Sequence, residues 1–269
     1  TSRELLRLRA EHEFAVSPLA LPSDDERLSV AALSGYESIR FFVERARDVK
    51  PDFALTEANA PDVAAICRSL DGLPFAIELA AARIKLFEPQ TILSRLSSSL
   101  KFLTGGAKDL PERRQTMRGA IAWSYDLLNA DEKQLLDCLS VFAGGFTIES
   151  VEAVGADRGG EILDTVSSLL DKNLIERMNQ QGGEPRFRML VVVRDFAFEK
   201  LAQSGTVEEV RRRHAAFSAD LAALAETELR GARAAEWMER LELEHENLRA
   251  ALNWSADTEP ATALKIAAS

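Results

Sequence analysis

Three features predict a mainly α-helical chain: a helical bundle, then a winged helix with one β-hairpin, then the start of a TPR-like α-solenoid. Apolar residues recur at helical spacing almost throughout. Two short runs near residue 180 flank a Gly-Gly turn and read as a single hairpin. After Gly205 the chain continues as three helical stretches with short breaks, the order of stacked helix pairs.

The elements follow in order. Residues 1–30 read as the end of an upstream core and a linker. Glu13-Phe14-Ala15-Val16 alternates like a short strand, and Pro18 and Pro22 bracket a loop. So abrupt an opening implies residues before Thr1. Residues 31–110 read as a helical bundle. Ser34-Gly35-Tyr36-Glu37 has the form of a capping box, and Ile39, Phe42, Val43 and Ala46 share one face of the helix that follows. Pro61 opens a second helix, Gly72-Leu73-Pro74 breaks the chain, and Phe75 to Ala82 forms an apolar third helix. Pro89 opens a short fourth. Lys101 to Arg114 reads as a loop.

Residues 111–205 carry the winged-helix order: helices around Met117–Leu128, Asn129–Leu139, Thr147–Val154 and Glu161–Lys172, the hairpin Leu174–Met178 with Arg186–Met189, and a closing helix from Val192 to Leu201. Gly144-Gly145 reads as a stop. Residues 206–269 give helices at Glu208–Leu229, Ala232–Trp254 and Ala261–Ala267. The last is apolar and has no partner in the sequence, which implies continuation beyond Ser269.

The chain has 46% hydrophobic and 28% charged residues, a globular balance. No apolar run approaches the roughly 20 residues that span a bilayer, and the first residues lack the apolar segment of a signal peptide. Cys67 and Cys138 both fall on apolar helical faces, which suits buried free thiols, and the cytoplasm is the expected location. His12, His214 and His245 form no spaced pair with either cysteine, so no metal site is expected. Arg211-Arg212-Arg213-His214 reads as an exposed helical face, with contact to phosphate or a partner as the alternative, and the acidic stretch around His245 reads as a solvated helix face or an inter-helix contact.

A net charge of -10 gives no basic footprint for nucleic acid. Glu161–Lys172, in the recognition-helix position, carries three acids and one base and would repel phosphate. DNA contact through this segment is therefore not expected. It stands as an alternative, beside a helical scaffold or protein-interaction role.

Four stretches resemble the NB-ARC/STAND signalling ATPases, especially bacterial regulators with LuxR-type or AfsR-type transcriptional outputs. They are the GLPL-like run Cys67–Arg83, then Thr116–Leu128, Leu139–Thr147 and Phe187–Ala197. The resemblance implies that Gly72, Leu73 and Pro74 wall the adenine end of a nucleotide pocket, with Pro74 on the base. Without it, the same turn reads only as a helix breaker. The resemblance further implies that Arg3 lies at the end of a sensor strand and contacts a terminal phosphate. At the family's Met-His-Asp position this chain has Met189-Leu190-Val191, a degenerate sensor whose side chains cannot bond phosphate.

No G-x-x-x-x-G-K-[ST] occurs, nor a strand ending in paired acids for Mg²⁺. The segment is thus expected to be no enzyme. By resemblance it is a regulatory fragment that closes over ADP or ATP, with Mg²⁺, held by an upstream P-loop domain of the same protein, and couples nucleotide state to signalling or transcription. No nucleotide should bind tightly to this fragment alone. The C-terminal helices are its expected contact with an effector or protein partner.

Overall fold

The computed structural model describes residues 16–23, 29–96, 103, 116–155, 161–178 and 184–268. Arg3, residues 13–15 of the proposed Glu13–Val16 strand and most of the Lys101–Arg114 loop lie outside them, and Val16 itself is exposed and in no strand. Contacts divide the chain into two compact units, one running to Leu127 with Leu190–Phe196, the other holding Leu128–Met189 and Ala197 onward.

The first unit contains α1 (Val30–Leu33), α2 (Glu37–Val49), α3 (Ala60–Ser69), α4 (Pro74–Ala81) with a 3-10 turn over Ala82–Lys85, α5 (Pro89–Leu96) and α6 (Met117–Asp126). The helices α2, α3, α4 and α5 pack on one another around Ile39, Phe42, Ile66, Ile77, Leu79 and Ile92, all at most 1% exposed. Phe42 meets Phe53 edge to face at 6.2 Å. The expected capping box at Ser34 does not form. Ser34 ends α1, its hydroxyl donating to the Val30 carbonyl, while Tyr36 precedes α2 with no side-chain cap. A four-residue helix the apolar spacing did not show occupies the position.

The second unit contains α7 (Ala130–Leu139), β1 (Phe146–Thr147), α8 (Ile148–Gly155), α9 (Glu161–Asp171), β2 (Glu176–Arg177) and β3 (Arg186–Arg188). The chain then passes through α10 (Val191–Ser204) to α11 (Val207–Glu228), α12 (Ala234–Thr258) and α13 (Pro260–Ala268). The sheet is antiparallel in the order β1-β3-β2, with Phe146 opposite Phe187 and Arg177 opposite Phe187 on the other side. The hairpin is where the sequence puts it. The strand β1 leaves no mark in the sequence, because two residues are too few to show alternation. The helices α11, α12 and α13 pack on one another, with Trp237 closing a core against Leu221 and Ala225. Long helices joined by a few residues and packed along their length run antiparallel.

Candidate functional site

In the winged-helix block, α7 starts with a true capping box. The Asn129 side chain accepts from the Glu132 amide at 2.9 Å, and Glu132 Oε2 accepts from the Asn129 amide at 2.8 Å. The same carboxylate reaches across to α9, accepting from the Ser168 hydroxyl and the Lys172 ammonium. Burial pushes the Glu132 pKa up, but these bonds outweigh it and hold the carboxyl below its ordinary range. At the start of α8, Thr147 and Ser150 cap each other's amides. The helix α9 ends in a Schellman motif: Asn173 takes a left-handed φ of 55°, its amide bonds Leu170, and the Leu174 amide bonds Leu169. These devices fix α7, α8 and α9 around Leu135, Leu136, Val166 and Leu169, which are all buried.

What α9 turns outward is Leu163, 53% exposed, with Asp164 and Ser167. Lys172, the base expected at its end, is held by Glu132. Positive charge lies instead on the strands: Arg177 is exposed, and Arg188 is exposed while bonding Glu176 at 3.1 Å.

The other predicted residues fall in the first unit. Asp71, Gly72 and Leu73 follow α3 in a second Schellman motif, in which the Asp71 amide bonds Arg68 and the Gly72 amide bonds Cys67. Gly72 is buried with φ +68°, and a Cβ there would run into the carbonyl of Leu19. The Leu19 amide donates to the Gly72 carbonyl at 3.0 Å. The close approach that this glycine permits is therefore to the chain's own backbone. Leu73 is half-buried, and Pro74 stands exposed at the first position of α4.

The degenerate sensor position begins α10. Met189 is half-buried and Leu190 is 9% exposed. The Val191 amide donates to Asp71 Oδ2 at 2.6 Å. A carboxylate from the turn before Pro74 thus caps the helix that follows Leu190. Sequence reasoning passed over Asp71. Its one signal was an acid, where glycine or asparagine is usual, at the left-handed position after a helix.

The free thiols behave as expected. Cys67 and Cys138 are buried and outside any disulfide, the Cys67 thiol donates to the Ser38 carbonyl at 3.6 Å, and burial pushes its pKa up to about 12. His245 is exposed, but His214, expected on a solvated face, is 3% exposed against Phe142. Among the described residues no group of side chains could hold a metal ion, and no helix is long and apolar enough to cross a membrane.

Residues 128–202 match the winged helix-turn-helix domain family. That stretch of the chain is a winged helix-turn-helix domain. The whole chain is 38% identical over 273 aligned residues to a protein of Mycobacterium tuberculosis H37Rv named "Putative HTH-type transcriptional regulator", and equally to its Mycobacterium bovis counterpart. Over 80% of the chain it is also 38% identical to an uncharacterized M. tuberculosis protein. The chain spans 29% of the length of the named regulators and 52% of the uncharacterized one. The matches are to a transcription-regulator class and to a domain that in other proteins reads DNA. They run against the expectation, drawn from the acids of α9, that DNA contact is not a role of this segment.

Proposed function

We propose that the chain is a segment of a transcriptional regulator and that its winged helix-turn-helix is the module that faces DNA. The observation that carries this is the matched domain together with its complete order of elements, α7-β1-α8-α9-β2-β3. The regulators that resemble the chain over its whole length support it. The charge distribution sets the form of the contact. With Asp164 on its outer face, α9 contributes repulsion, so attraction to phosphate comes from Arg177 and Arg188 on the wing strands. Affinity is then modest and strongly dependent on salt. Fluorescence anisotropy with duplex DNA at low ionic strength tests this: binding that fades as salt rises supports it, and no binding at the lowest salt contradicts it.

A second reading is favoured by the bond from Val191 to Asp71. It ties the Gly72-Leu73-Pro74 turn to Leu190 and Val191, the two stretches that the resemblance assigns to nucleotide sensing. In this reading Pro74, exposed at the head of α4, covers the adenine of ADP or ATP held by a P-loop domain elsewhere in the protein. Nucleotide state then sets the regulator's activity, which requires different affinities in the two states. Arg3 would reach the terminal phosphate, and α11 to α13 would receive an effector or a partner protein. Measuring ADP affinity of the full-length protein with and without Pro74→Ala tests it, and unchanged affinity argues against the base contact.

A further inference from the structure

The turn between α7 and β1 is tied to α12 by a buried polar knot. Asn247, 3% exposed, accepts from the Ala143 amide at 2.9 Å and the Gly144 amide at 3.1 Å. Its own amide donates to the Gly145 carbonyl at 2.7 Å and to Glu244 Oε2 at 2.6 Å. Glu244, 4% exposed, pairs through its other oxygen with Arg186 of β3. Arg186, 3% exposed, also donates to the carbonyls of Leu243 at 2.8 Å and Gly145 at 3.3 Å.

Two glycines make room for this. A Cβ on Gly144 would sit 3.1 Å from Glu246 Cβ, and one on Gly145 would sit 2.7 Å from the Phe187 carbonyl, at φ +93°. Gly144 lets α12 come close and Gly145 lets β3 come close, which is a different job from ending α7.

A buried ion pair is poor evidence of net stability, because desolvation offsets the attraction, but it discriminates strongly between one arrangement and its neighbours. Here the bonds of Asn247 to Ala143, Gly144 and Gly145, and of Arg186 to Glu244 and Leu243, join the winged helix to α12, while Asn247–Glu244 and Arg186–Gly145 brace the two sides. The contacts nearby follow the same line: α8 packs on α11, and Arg240 of α12 bonds Glu149 of α8 at 2.6 Å.

We propose that the Arg186–Glu244–Asn247 knot is a coupling device that makes the winged helix and the helices α11 to α13 open and close as one body. Whatever binds the helices is then felt at the winged helix without a flexible joint between them. The use of such coupling rests on the reading of the winged helix as the transcription-facing module. The coupling itself does not, and its test contains no DNA, so the two can fail separately.

Hydrogen exchange on the intact chain is the test. In the wild type, core amides of α7, α9 and α12 should share one opening equilibrium. In Asn247→Leu, α11 to α13 should exchange at least about tenfold faster than α7 and α9, since four hydrogen bonds are lost and buried backbone groups go unsatisfied. Where that variant does not fold, Asn247→Asp serves. It keeps the two acceptor bonds but sets a carboxylate against Glu244, and it should show the same split. Adding Glu244→Gln, whose amide can donate to the new carboxylate, should restore common exchange. A wild type in which α12 already opens tenfold more readily than α7 would overturn the proposal. So would a variant with no split, or a split that Glu244→Gln leaves untouched.

Discussion

Asp71 holds φ at 51°, where a glycine would sit without strain, a cost of roughly 1 kcal/mol for a residue with a Cβ. Its carboxylate recovers this by capping the Val191 amide, a charged hydrogen bond of about 1.5–3 kcal/mol at a helix N-terminus. The two effects oppose each other in Asp71→Gly, which relaxes the turn and removes the cap. The cap should win, and thermal or urea unfolding should show a net loss of about 1 kcal/mol. Asp71→Asn, which tolerates the same φ and keeps an acceptor, should lose less. A stabilised Asp71→Gly would mean that the carboxylate contributes nothing. His214 poses a similar question in the second unit. It is buried against Phe142 at 4.9 Å, and its Nε2 has no hydrogen-bond partner among the described residues. Burial, helped by the charge of Arg211, lowers its pKa from 6.5 to about 4. The unfolded chain therefore binds more protons than the folded one across that window. Stability should fall as pH drops from about 6.5 toward 4, by up to roughly 3 kcal/mol. His214→Leu should flatten this part of the unfolding profile, and an unchanged profile would place the titration elsewhere.

At the scale of elements, Glu132 closes the start of α7 and grips α9 through Ser168 and Lys172. Its carboxyl is held below the ordinary range, so its contribution is complete above the normal carboxylate pKa and is lost as pH falls through the lowered one. Glu132→Gln should destabilise the second unit by about 1–3 kcal/mol at neutral pH, read by calorimetry, and reduce acid sensitivity below the histidine window. Much at this scale was legible from the sequence. The long helices, the hairpin and the break before Pro74 follow from spacing, glycine and proline. Other features were not legible, for identifiable reasons. The strand β1 is too short for a pattern. Ser34 caps backward onto α1, which spacing alone does not reveal. His214 lies in a run of arginines that marks a wet face, yet its helix turns that one position onto Phe142. Gly144 and Gly145 read as punctuation, although the missing side chain of Gly144 admits α12 and that of Gly145 admits β3.

For the whole molecule, local pattern could not show which distant residues meet. The bonds from Asp71 to Val191 and from Asn247 to Ala143 cross more than a hundred positions, and neither partner carries a motif that announces the other. Function divides the same way. Composition argued against DNA, while the matched domain and the similar regulators argue for it. Attraction on the wing strands and repulsion on α9 reconcile the two, so substitutions at the two places should act in opposite directions. Arg177→Ala and Arg188→Ala should each weaken DNA binding and lower the salt slope by about one. Asp164→Asn should tighten binding roughly two- to fivefold at low salt. The most direct measurement is a salt series of DNA binding by the wild type, Asp164→Asn and Arg177→Ala side by side. Asp164→Asn should bind tightest and Arg177→Ala weakest, with all three converging as salt rises; three indistinguishable curves, or no binding by any of them, would contradict DNA contact through the wing strands.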